Sequence, residues 1–457
     1  DSFLENAPII SVSSKSGEGI EELKTAISKT AKKIPERKSD YITRLPIDRT
    51  FSIKGFGAVV TGTLATGEIE TGSEMELLPI GKKVRIRGIQ VHGKDVEKTN
   101  AGQRTAVNLG GIDKDEIERG MVLTEPGILH STQIVDSQIE VLATSKRPLK
   151  SRQRVRIHLG TIEALARIDV LNESREIAPG ERGFVQIRLE KPIVPVPGER
   201  FILRQYSPQI TIAGGEIIDA LAKKHSRKRI IETEKFLFDL LKFDDEENYG
   251  SKLKTYLETE AEIGSNFEEL QARTGWKEEF LSPLITENAE KTAIIDCENT
   301  YVARTPFDRL KSKIISEIER FHSSEPLAPG ILRETLREKT ASKVPIEVFR
   351  TAIKYLENEG KVITDSDTFR AASHNQELSA DEKEIERKLT EIYSSAGLQV
   401  PTLKIALDDS AAHSSLSKDN ARRIFQRLVN SGSIVKVTEE LYFQSGSIEE
   451  LIKKVKA

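Results

Sequence analysis

The sequence has almost no cysteine and no long apolar run, and each shortage excludes a class of protein. One cysteine, Cys297, stands among 457 residues, which excludes a disulfide framework and fits a reducing compartment. No run of about 18 apolar residues occurs, so we predict no membrane span. The first residues include Asp1 and Glu5 in place of a basic start, and no long apolar core follows, so we predict no secretory signal.

An excess of one charge sign is also lacking. Charged residues make up 31% of the chain, yet the net charge is −3, so the chain has no global basic signature of nucleic-acid binding. Any contact with RNA must therefore come from local patches. The hydrophobic share of 37% is typical of globular proteins. A chain of 457 residues is too long for a single hydrophobic core, so we expect several domains.

The first part of the chain, residues 1–38, predicts the end of an α/β domain followed by a linker. The apolar run Pro8–Val12 predicts a short strand, residues 13–19 predict a turn, and apolar residues at helical spacing from Ile20 predict a helix. No Gly-x-x-x-x-Gly-Lys-Ser/Thr phosphate loop occurs anywhere in the chain.

The middle of the chain is predicted to be β-structure. Short alternating runs separated by glycines, such as Val84–Arg87 and Thr105–Leu109, are typical of closed barrels. The Glu125-Pro126-Gly127 turn predicts the boundary between a first barrel over 39–126 and a second over 127–225.

The last part of the chain is predicted to be helical, in three stretches that share the plan of a winged helix. Gly360 and Gly432 each end a third helix just before a strand. The chain lacks an initial Met and ends within a helix, so we expect it to be cut at both ends. The predicted modules are 226–304, 305–374 and 375–445, with 446–457 as the start of a fourth.

Two segments carry a family resemblance. They are RLPIDRTFSIKGFGAVVTGT over 44–63, and GERFILRQYSP over 198–208 followed by TIAGGEIID over 211–219. Both resemble the selenocysteine-specific translation elongation factors of the bacterial SelB type. The resemblance covers essentially the whole chain and is most specific in the barrels. It implies two translation-factor β-barrels followed by three winged-helix units, preceded by a strand–helix remnant of a P-loop GTPase domain.

The resemblance also implies a function. Members of this family deliver selenocysteyl-tRNA to the ribosome at recoded UGA codons, with GTP and Mg²⁺ as cofactors and winged-helix modules directed to an mRNA hairpin. It implies a cytoplasmic monomer with no membrane partner. Ser13, Ser14 and Lys15 resemble a remnant of the guanine-contacting loop. Because this chain lacks the phosphate loop, we expect it to hydrolyse no GTP and to hold no cofactor.

The resemblance places a selenocysteine pocket at Asp48, Arg49 and Arg104 in the first barrel. A selenol is more acidic than a thiol and is largely an anion at neutral pH, so guanidinium groups suit it. Asp48 would orient an arginine or disfavour an uncharged seryl group. The alternative is that Asp48 and Arg49 form a surface ion pair and that Arg104 ends a strand.

Two basic sets are candidates for RNA contact. In the second barrel, alternation along a strand predicts that Arg154, Arg156 and His158 share one face, and Arg152 precedes them. Such a row suits a tRNA backbone, although a solvated barrel face is equally compatible with it. In the third winged unit, the candidates on the predicted third helix are Lys418, Arg422, Arg423 and Arg427.

Other functions remain compatible with parts of the pattern. The chain could be a general translational GTPase of the EF-Tu or initiation-factor type with helical adaptors, which would need no pocket for an anion. It could also be a winged-helix nucleic-acid-binding regulator, although that class predicts a strongly basic chain. We find no nucleophile–base pair and no metal cluster of adequate spacing, so we assign no catalytic or metal residue.

Overall fold

The computed structural model describes residues 7–33, 40–53, 57–243, 248–325, 328–374, 380–412, 418–438 and 441–456. The chain forms two compact units. One contains the residues up to 259 together with 265–294, and the other contains 260–264 together with the residues from 295 onward.

The N-terminal segment contains one helix, α1 (Ile20–Ala31), which buries none of its residues. The predicted turn is present, with the Ser13 amide donating to the Glu18 carbonyl over 3.0 Å. The predicted strand Pro8–Val12 is not part of any sheet, because no other described segment pairs with it, and Ile9 is almost fully exposed. A strand needs a neighbour to satisfy its backbone groups.

The first barrel is closed by six antiparallel strands in the order β4-β9-β1-β2-β8-β5, with β5 returning to β4. Glycine is required at position 62, where β2 pairs with β1, because a Cβ there would lie 2.3 Å from the Pro46 carbonyl oxygen. The strands are β1 (Arg44–Ile53), β2 (Gly57–Thr63), β3 (Glu68–Glu70), β4 (Glu74–Leu78), β5 (Lys82–Val91), β6 (Lys94–Val96), β7 (Lys98–Asn100), β8 (Arg104–Gly110) and β9 (Val122–Thr124).

The second barrel is also closed by six strands, in the order β10-β15-β13-β12-β16-β17. Along β12 the side chains alternate between half-buried and buried, as the sequence predicts. The strands are β10 (Thr132–Val141), β11 (Leu149–Lys150), β12 (Arg154–Leu159), β13 (Ile162–Val170), β14 (Glu176–Ile177), β15 (Arg182–Ile193), β16 (Arg200–Gln205) and β17 (Thr211–Asp219).

The two barrels pack against each other around a buried arginine. Nη2 of Arg44 donates to the Val194 carbonyl over 2.8 Å and to Glu199 Oε2 over 3.0 Å. Apolar side chains from both barrels, including Ile42 and Val196, form one cluster beside it. Since each partner of this guanidinium comes from the other barrel, the barrels are fixed relative to each other.

The first winged-helix segment packs directly on the barrels. Tyr256 donates from its hydroxyl to the Ile218 carbonyl over 3.2 Å, and the Ile42 amide donates to the Gly275 carbonyl over 2.9 Å. The elements are a 3₁₀ turn (Arg227–Arg229), α2 (Ile230–Lys242), α3 (Tyr249–Thr259), β18 (Ser265–Asn266), α4 (Phe267–Thr274), α5 (Glu278–Glu290), β19 (Ile294–Cys297) and β20 (Thr300–Ala303).

The second winged helix has its own apolar core, which includes Phe307, Phe349 and Phe369. Gly360 follows its third helix with a φ of 68°, a conformation that favours glycine. The elements are α6 (Arg304–Ser324), β21 (Ile331–Leu332), α7 (Arg333–Ala341), α8 (Ile346–Asn358), β22 (Val362–Asp365) and β23 (Thr368–Ala371).

The third winged helix packs three helices around Tyr393 and Phe425. Its strands form a hairpin in which Val435 pairs with Phe443. The elements are α9 (Ala380–Ala396), α10 (Leu403–Ala411), α11 (Lys418–Asn430), β24 (Ile434–Lys436) and β25 (Tyr442–Gln444), followed by a final helix α12 (Ser445–Lys456). The predicted fold class is therefore confirmed: two β-barrels followed by winged-helix units.

Candidate functional site

The strongest candidate site lies on the outer face of the first barrel, where Arg104 meets Asp48. Both outer nitrogens of Arg104 contact the carboxylate, with Nη2 3.0 Å from Oδ1 and Nη1 on Oδ2. Thr61 donates its hydroxyl to Asp48 Oδ1 over 2.8 Å. The carboxylate thus accepts three hydrogen bonds, and the Arg104 side chain stays half-exposed.

A β-bulge determines this geometry. The β1–β2 register shifts between Ile47, opposite Gly62, and Arg49, opposite Thr61. The extra residue at the shift is Asp48, and a bulge redirects the side chain that it inserts. Arg104 begins β8, the strand on the other side of β2, so residues 56 positions apart come into contact.

The charges at this site are coupled. Partial burial raises the pKa of Asp48, but the hydrogen bonds from Arg104 and Thr61 and the charges of Arg104 and Arg49 outweigh it and lower the pKa. The hydrogen bonds that Arg104 donates to Asp48 raise the pKa of Arg104. Arg49 is exposed and close enough for its charge to act on Asp48, so the structure brings the three predicted residues together.

A cleft of about 490 Å³ lies on the same outer surface of the barrel. Val59, Ile89 and Ala106 form apolar walls, and Asn108 presents a buried amide oxygen that has no hydrogen-bond partner among the described residues. Ala106 pairs with Thr61, so the cleft lies beside the Asp48–Arg104 contact.

Sequence reasoning missed the residues of this cleft. A signal was available, because Arg104, Ala106 and Asn108 alternate along β8 and therefore share a face. The polar side chains that also line the cleft are Thr71, Arg87, Gln90, Asp95 and Glu97. Gln90 donates to Asp95 Oδ1 over 2.9 Å.

The predicted basic row of the second barrel is present, but its charges are neutralised. Arg154 donates to both oxygens of Glu190, over 2.8 and 2.7 Å, and Arg156 donates to Glu163 over 2.6 Å. Both guanidinium groups lie over the ring of Tyr206, at 4.8 and 5.4 Å from its centre. The row is therefore a layer of paired ions rather than a free positive surface.

The ends of this row differ from its centre. His158 lies 4.0 Å from Glu163 through its Nδ1 atom. Arg152 lies outside the strand, exposed, with a left-handed φ of 71°. The four candidates of the row therefore do not form one continuous cationic surface.

The candidates on α11 are dispersed. Arg422 is exposed, and Arg423 lies 3.3 Å from Glu325, the residue that follows α6. Arg427 is half-buried, and the side chain of Lys418 lies outside the described residues.

The loop before α1 is shaped by its own hydrogen bonds. The Ser13 hydroxyl accepts from the Ser16 amide over 3.2 Å, while Ser14 and Lys15 are exposed. The sequence has no phosphate loop, and no described cluster of three or more His, Cys, Asp or Glu suits a metal ion.

Membrane insertion through a helix finds no support in the structure. Among the helices that are described, none combines the length and the apolar character that crossing a bilayer demands.

Comparison with known proteins finds family models for three segments of the chain. Residues 57–124 match the model of elongation factor Tu domain 2, and residues 136–224 match the β-barrel domain of selenocysteine-specific elongation factors. Residues 315–370 match the winged helix of elongation factor SelB.

Individual relatives agree with these matches. The selenocysteine-specific elongation factor of Desulfomicrobium baculatum is 33% identical over 461 residues, which cover 100% of this chain and 71% of that protein. The one of Methanocaldococcus jannaschii is 32% identical over 235 residues, covering 47% of this chain and 50% of that protein.

A solved structure supports the fold. The crystal structure of a bacterial selenocysteine-specific elongation factor, EF-Sec, superposes with a TM-score of 0.62 at 21% identity, covering 99% of this chain and 69% of that one. At this identity the likeness concerns the fold alone. Given the full-length match at 33% identity, this chain belongs to the selenocysteine-specific elongation factor family.

Proposed function

We propose that this protein binds selenocysteyl-tRNA and delivers it to the ribosome at recoded UGA codons. Its first barrel receives the selenocysteyl group, its second barrel contacts the tRNA, and its winged helices are directed to an mRNA hairpin. The intact protein acts in the cytoplasm as a monomer and uses GTP and Mg²⁺.

The observation that carries this proposal is the charge balance of Asp48, Arg49 and Arg104. One carboxylate lies among two guanidinium groups, so the group as a whole carries one positive charge. That positive charge attracts the negative charge of a selenolate and provides no such attraction for the neutral hydroxyl of a seryl group. The Asp48 contact uses the two outer nitrogens of Arg104 and leaves further N–H donors of the same guanidinium for a ligand.

The neighbouring cleft suits the end of the tRNA. The amino acid is esterified to the terminal ribose of the tRNA, only a few bonds from the terminal base. A site for the aminoacyl group therefore requires space for the terminal nucleoside nearby. The cleft beside Ala106 has a volume of about 490 Å³, which is the size of a small-molecule site. The unpartnered amide oxygen of Asn108 would accept a hydrogen bond from a base or a ribose hydroxyl.

The proposal is tested by the ratio of two affinities, that for selenocysteyl-tRNA and that for the same tRNA charged with serine. We expect Arg104→Ala and Arg49→Ala to reduce this ratio toward one. Loss of a charge-assisted hydrogen bond costs about 1.5–3 kcal/mol, which is on the order of 10- to 100-fold in affinity.

Arg85→Ala is the matched control, because Arg85 is an exposed arginine of β5 that does not line the cleft. Its ratio should equal that of the unmodified chain. Equal affinity of the unmodified chain for both charged tRNAs would rule out a discriminating site in the first barrel. The protein would then resemble a general translational GTPase in this respect.

A further inference from the structure

A second basic segment connects the second barrel to α2, and the family resemblance does not single it out. Residues 223–229, which we name the basic joint, contain five lysines and arginines and one histidine, with no acid. The cations are Lys223, Lys224, Arg227, Lys228 and Arg229. A run of one charge sign in a chain with a net charge of −3 is a local exception.

The backbone of the basic joint is fixed on the second barrel. Gln186 donates its side-chain amide to the Lys223 carbonyl over 3.0 Å. His225 lies 2.5 Å from Asp136 through its Nε2 atom, and the Asp136 side chain is fully buried in the barrel. Gln186 also donates to Asp136, over 2.9 Å. The segment is therefore ordered before any partner arrives, which reduces the entropy lost on binding.

Three cations of the basic joint have no carboxylate partner among the described residues. Lys224, Arg227 and Lys228 are exposed, and within the described ranges no carboxylate lies within 4.0 Å of them. Arg229 has a weak contact with Glu232 at 3.8 Å, and both side chains are about three-quarters exposed. Such a contact contributes little. Three positive charges therefore remain available on one short, fixed segment.

A cleft of about 320 Å³ opens beside the basic joint. His225, Ser226 and Arg227 form one wall, and Arg175 lies on the loop that forms another. The Arg175 backbone has a left-handed φ of 61°, and its amide donates to the Asn172 side chain over 2.7 Å. The cleft offers guanidinium groups and a hydroxyl, which are donors suited to phosphate oxygens.

Two acids also line this cleft and limit where an anion could sit. Asp169 is engaged by Arg188 at 3.4 Å. Glu173 lies near Glu234, whose pKa is raised by partial burial and by the charge of Glu173. The positive side of the cleft is therefore the side of the basic joint.

We infer that the basic joint binds the phosphate backbone of RNA, as a contact separate from the aminoacyl site of the first barrel. This inference rests on the proposed function, since it takes the tRNA as its partner. Unpaired, ordered lysines and arginines neutralise phosphates, whereas interfaces with proteins are depleted in lysine.

The test is the salt dependence of binding to an uncharged selenocysteine tRNA transcript. The triple variant Lys224→Ala, Arg227→Ala, Lys228→Ala is compared with the unmodified chain by fluorescence anisotropy at several salt concentrations. Each phosphate contact contributes about 0.7–0.9 to the slope of log affinity against log salt, so we expect the slope to fall by about 2 to 3.

The matched control removes the same charge from paired cations. Lys83, Lys98 and Arg182 each lie within hydrogen-bonding distance of a carboxylate on the same unit. The triple alanine variant of these residues should leave the slope within about 0.5 of the original. Circular dichroism checks that both variants fold.

Each of the other outcomes would contradict RNA binding by the basic joint. Equal losses in both variants, or an unchanged slope in the basic-joint variant, would overturn the inference and leave the proposed function standing, since that function is tested by the seryl comparison. Binding of the basic joint to anionic vesicles in place of RNA would also overturn it. If the unmodified chain binds no tRNA at all, the proposed function fails together with the inference.

Discussion

Two basic regions of the same unit have a similar sequence pattern, but they differ in how far their positive charges are paired with acids. In the row along β12, Arg154 and Arg156 are paired with Glu190 and Glu163 and stack on Tyr206. In the basic joint, Lys224, Arg227 and Lys228 have no carboxylate partner in the part of the chain that the structure describes. Charge density along the chain therefore does not indicate where free positive charge lies.

The reason is the surroundings of each segment. A strand inside a barrel lies among other strands. Glu163, 7 positions away from Arg156, comes from β13, which is adjacent to β12. Glu190, 36 positions away from Arg154, comes from β15, the strand beyond β13. The basic joint lies outside every sheet, so no register places an acid opposite its cations. Buried Asp136 fixes its backbone without neutralising the exposed side chains.

The largest loss of stability is expected from breaking the buried ion pair that attaches α4 of the first winged helix to β17 of the second barrel. Arg273 donates to Asp219 over 3.0 and 2.6 Å, and the Asp219 side chain is 1% exposed. Arg273→Ala would leave a buried charge without its partner, so we expect the free energy of unfolding to fall by about 3–5 kcal/mol. Urea denaturation measures this loss.

A surface pair provides the control for this prediction. Arg182 and Glu140 are both more than half exposed, so Arg182→Ala should cost less than about 1 kcal/mol. Replacing Arg273 and Asp219 together by Met and Leu should recover much of the loss, because no charge is then stranded. Equal costs for Arg273→Ala and Arg182→Ala would show that the winged helix is not held by this pair.

A smaller effect is expected from releasing the basic joint while keeping its lysines and arginines. His225→Ala removes one of the two side-chain partners of buried Asp136, leaving Gln186, and should cost about 1–3 kcal/mol of unfolding free energy. We also expect weaker binding to uncharged tRNA, because the cations are no longer held in place. His225→Gln, which retains a donor, should be closer to the original. Unchanged tRNA affinity in a folded His225→Ala protein would make the ordering of the joint irrelevant.

A third change should make the arginine row behave like the basic joint. Glu163→Gln with Glu190→Gln frees Arg156 and Arg154 while preserving side-chain shape. We expect tighter binding to uncharged tRNA and a slope against salt that is steeper by about 1 to 2. Glu140→Gln is the control, since Arg182 lies outside the row. If affinity does not rise, the face along β12 is directed away from the RNA.

The smallest expected effect is a pH dependence of the paired row. Hydrogen bonds from Arg156 and Arg154 lower the pKa of Glu163 and Glu190 below the ordinary 4.5. A carboxyl group with a lowered folded pKa stabilises the fold above its unfolded pKa, and this stability is lost as the pH falls through the folded value. The unfolding free energies of the original and the double glutamine variant should therefore differ at neutral pH and converge as the pH falls through the lowered pKa values of the two carboxyl groups. A difference that persists in acid would contradict the pairing.

Sequence reasoning predicted local features accurately where they depend on neighbours along the chain. The alternation along β12 is as the spacing indicates, and Gly360 and Gly432 adopt φ values of 68° and 75° at helix ends. The strand Pro8–Val12 was not formed, because a strand depends on a partner that the apolar pattern alone does not supply.

The residues of the candidate pocket were predicted from the sequence, but the contacts among them were not. The resemblance selected Asp48, Arg49 and Arg104, but their contact depends on a bulge in β1 and on the placement of β8 beside β2. The cleft lined by Val59, Ile89 and Asn108 combines residues from strands far apart in sequence, so no local pattern could assemble it.

Residue types at short spacing were enough to predict most helices and strands, the faces of the strands and the family resemblance. Which charges are neutralised depends instead on the tertiary fold. An ion pair requires two groups within about 4 Å, and strand register and barrel closure set that distance between residues that the chain holds far apart. Arg154 and Arg156 of β12 met acids in this way, whereas Lys224, Arg227 and Lys228 have no carboxylate partner among the described residues.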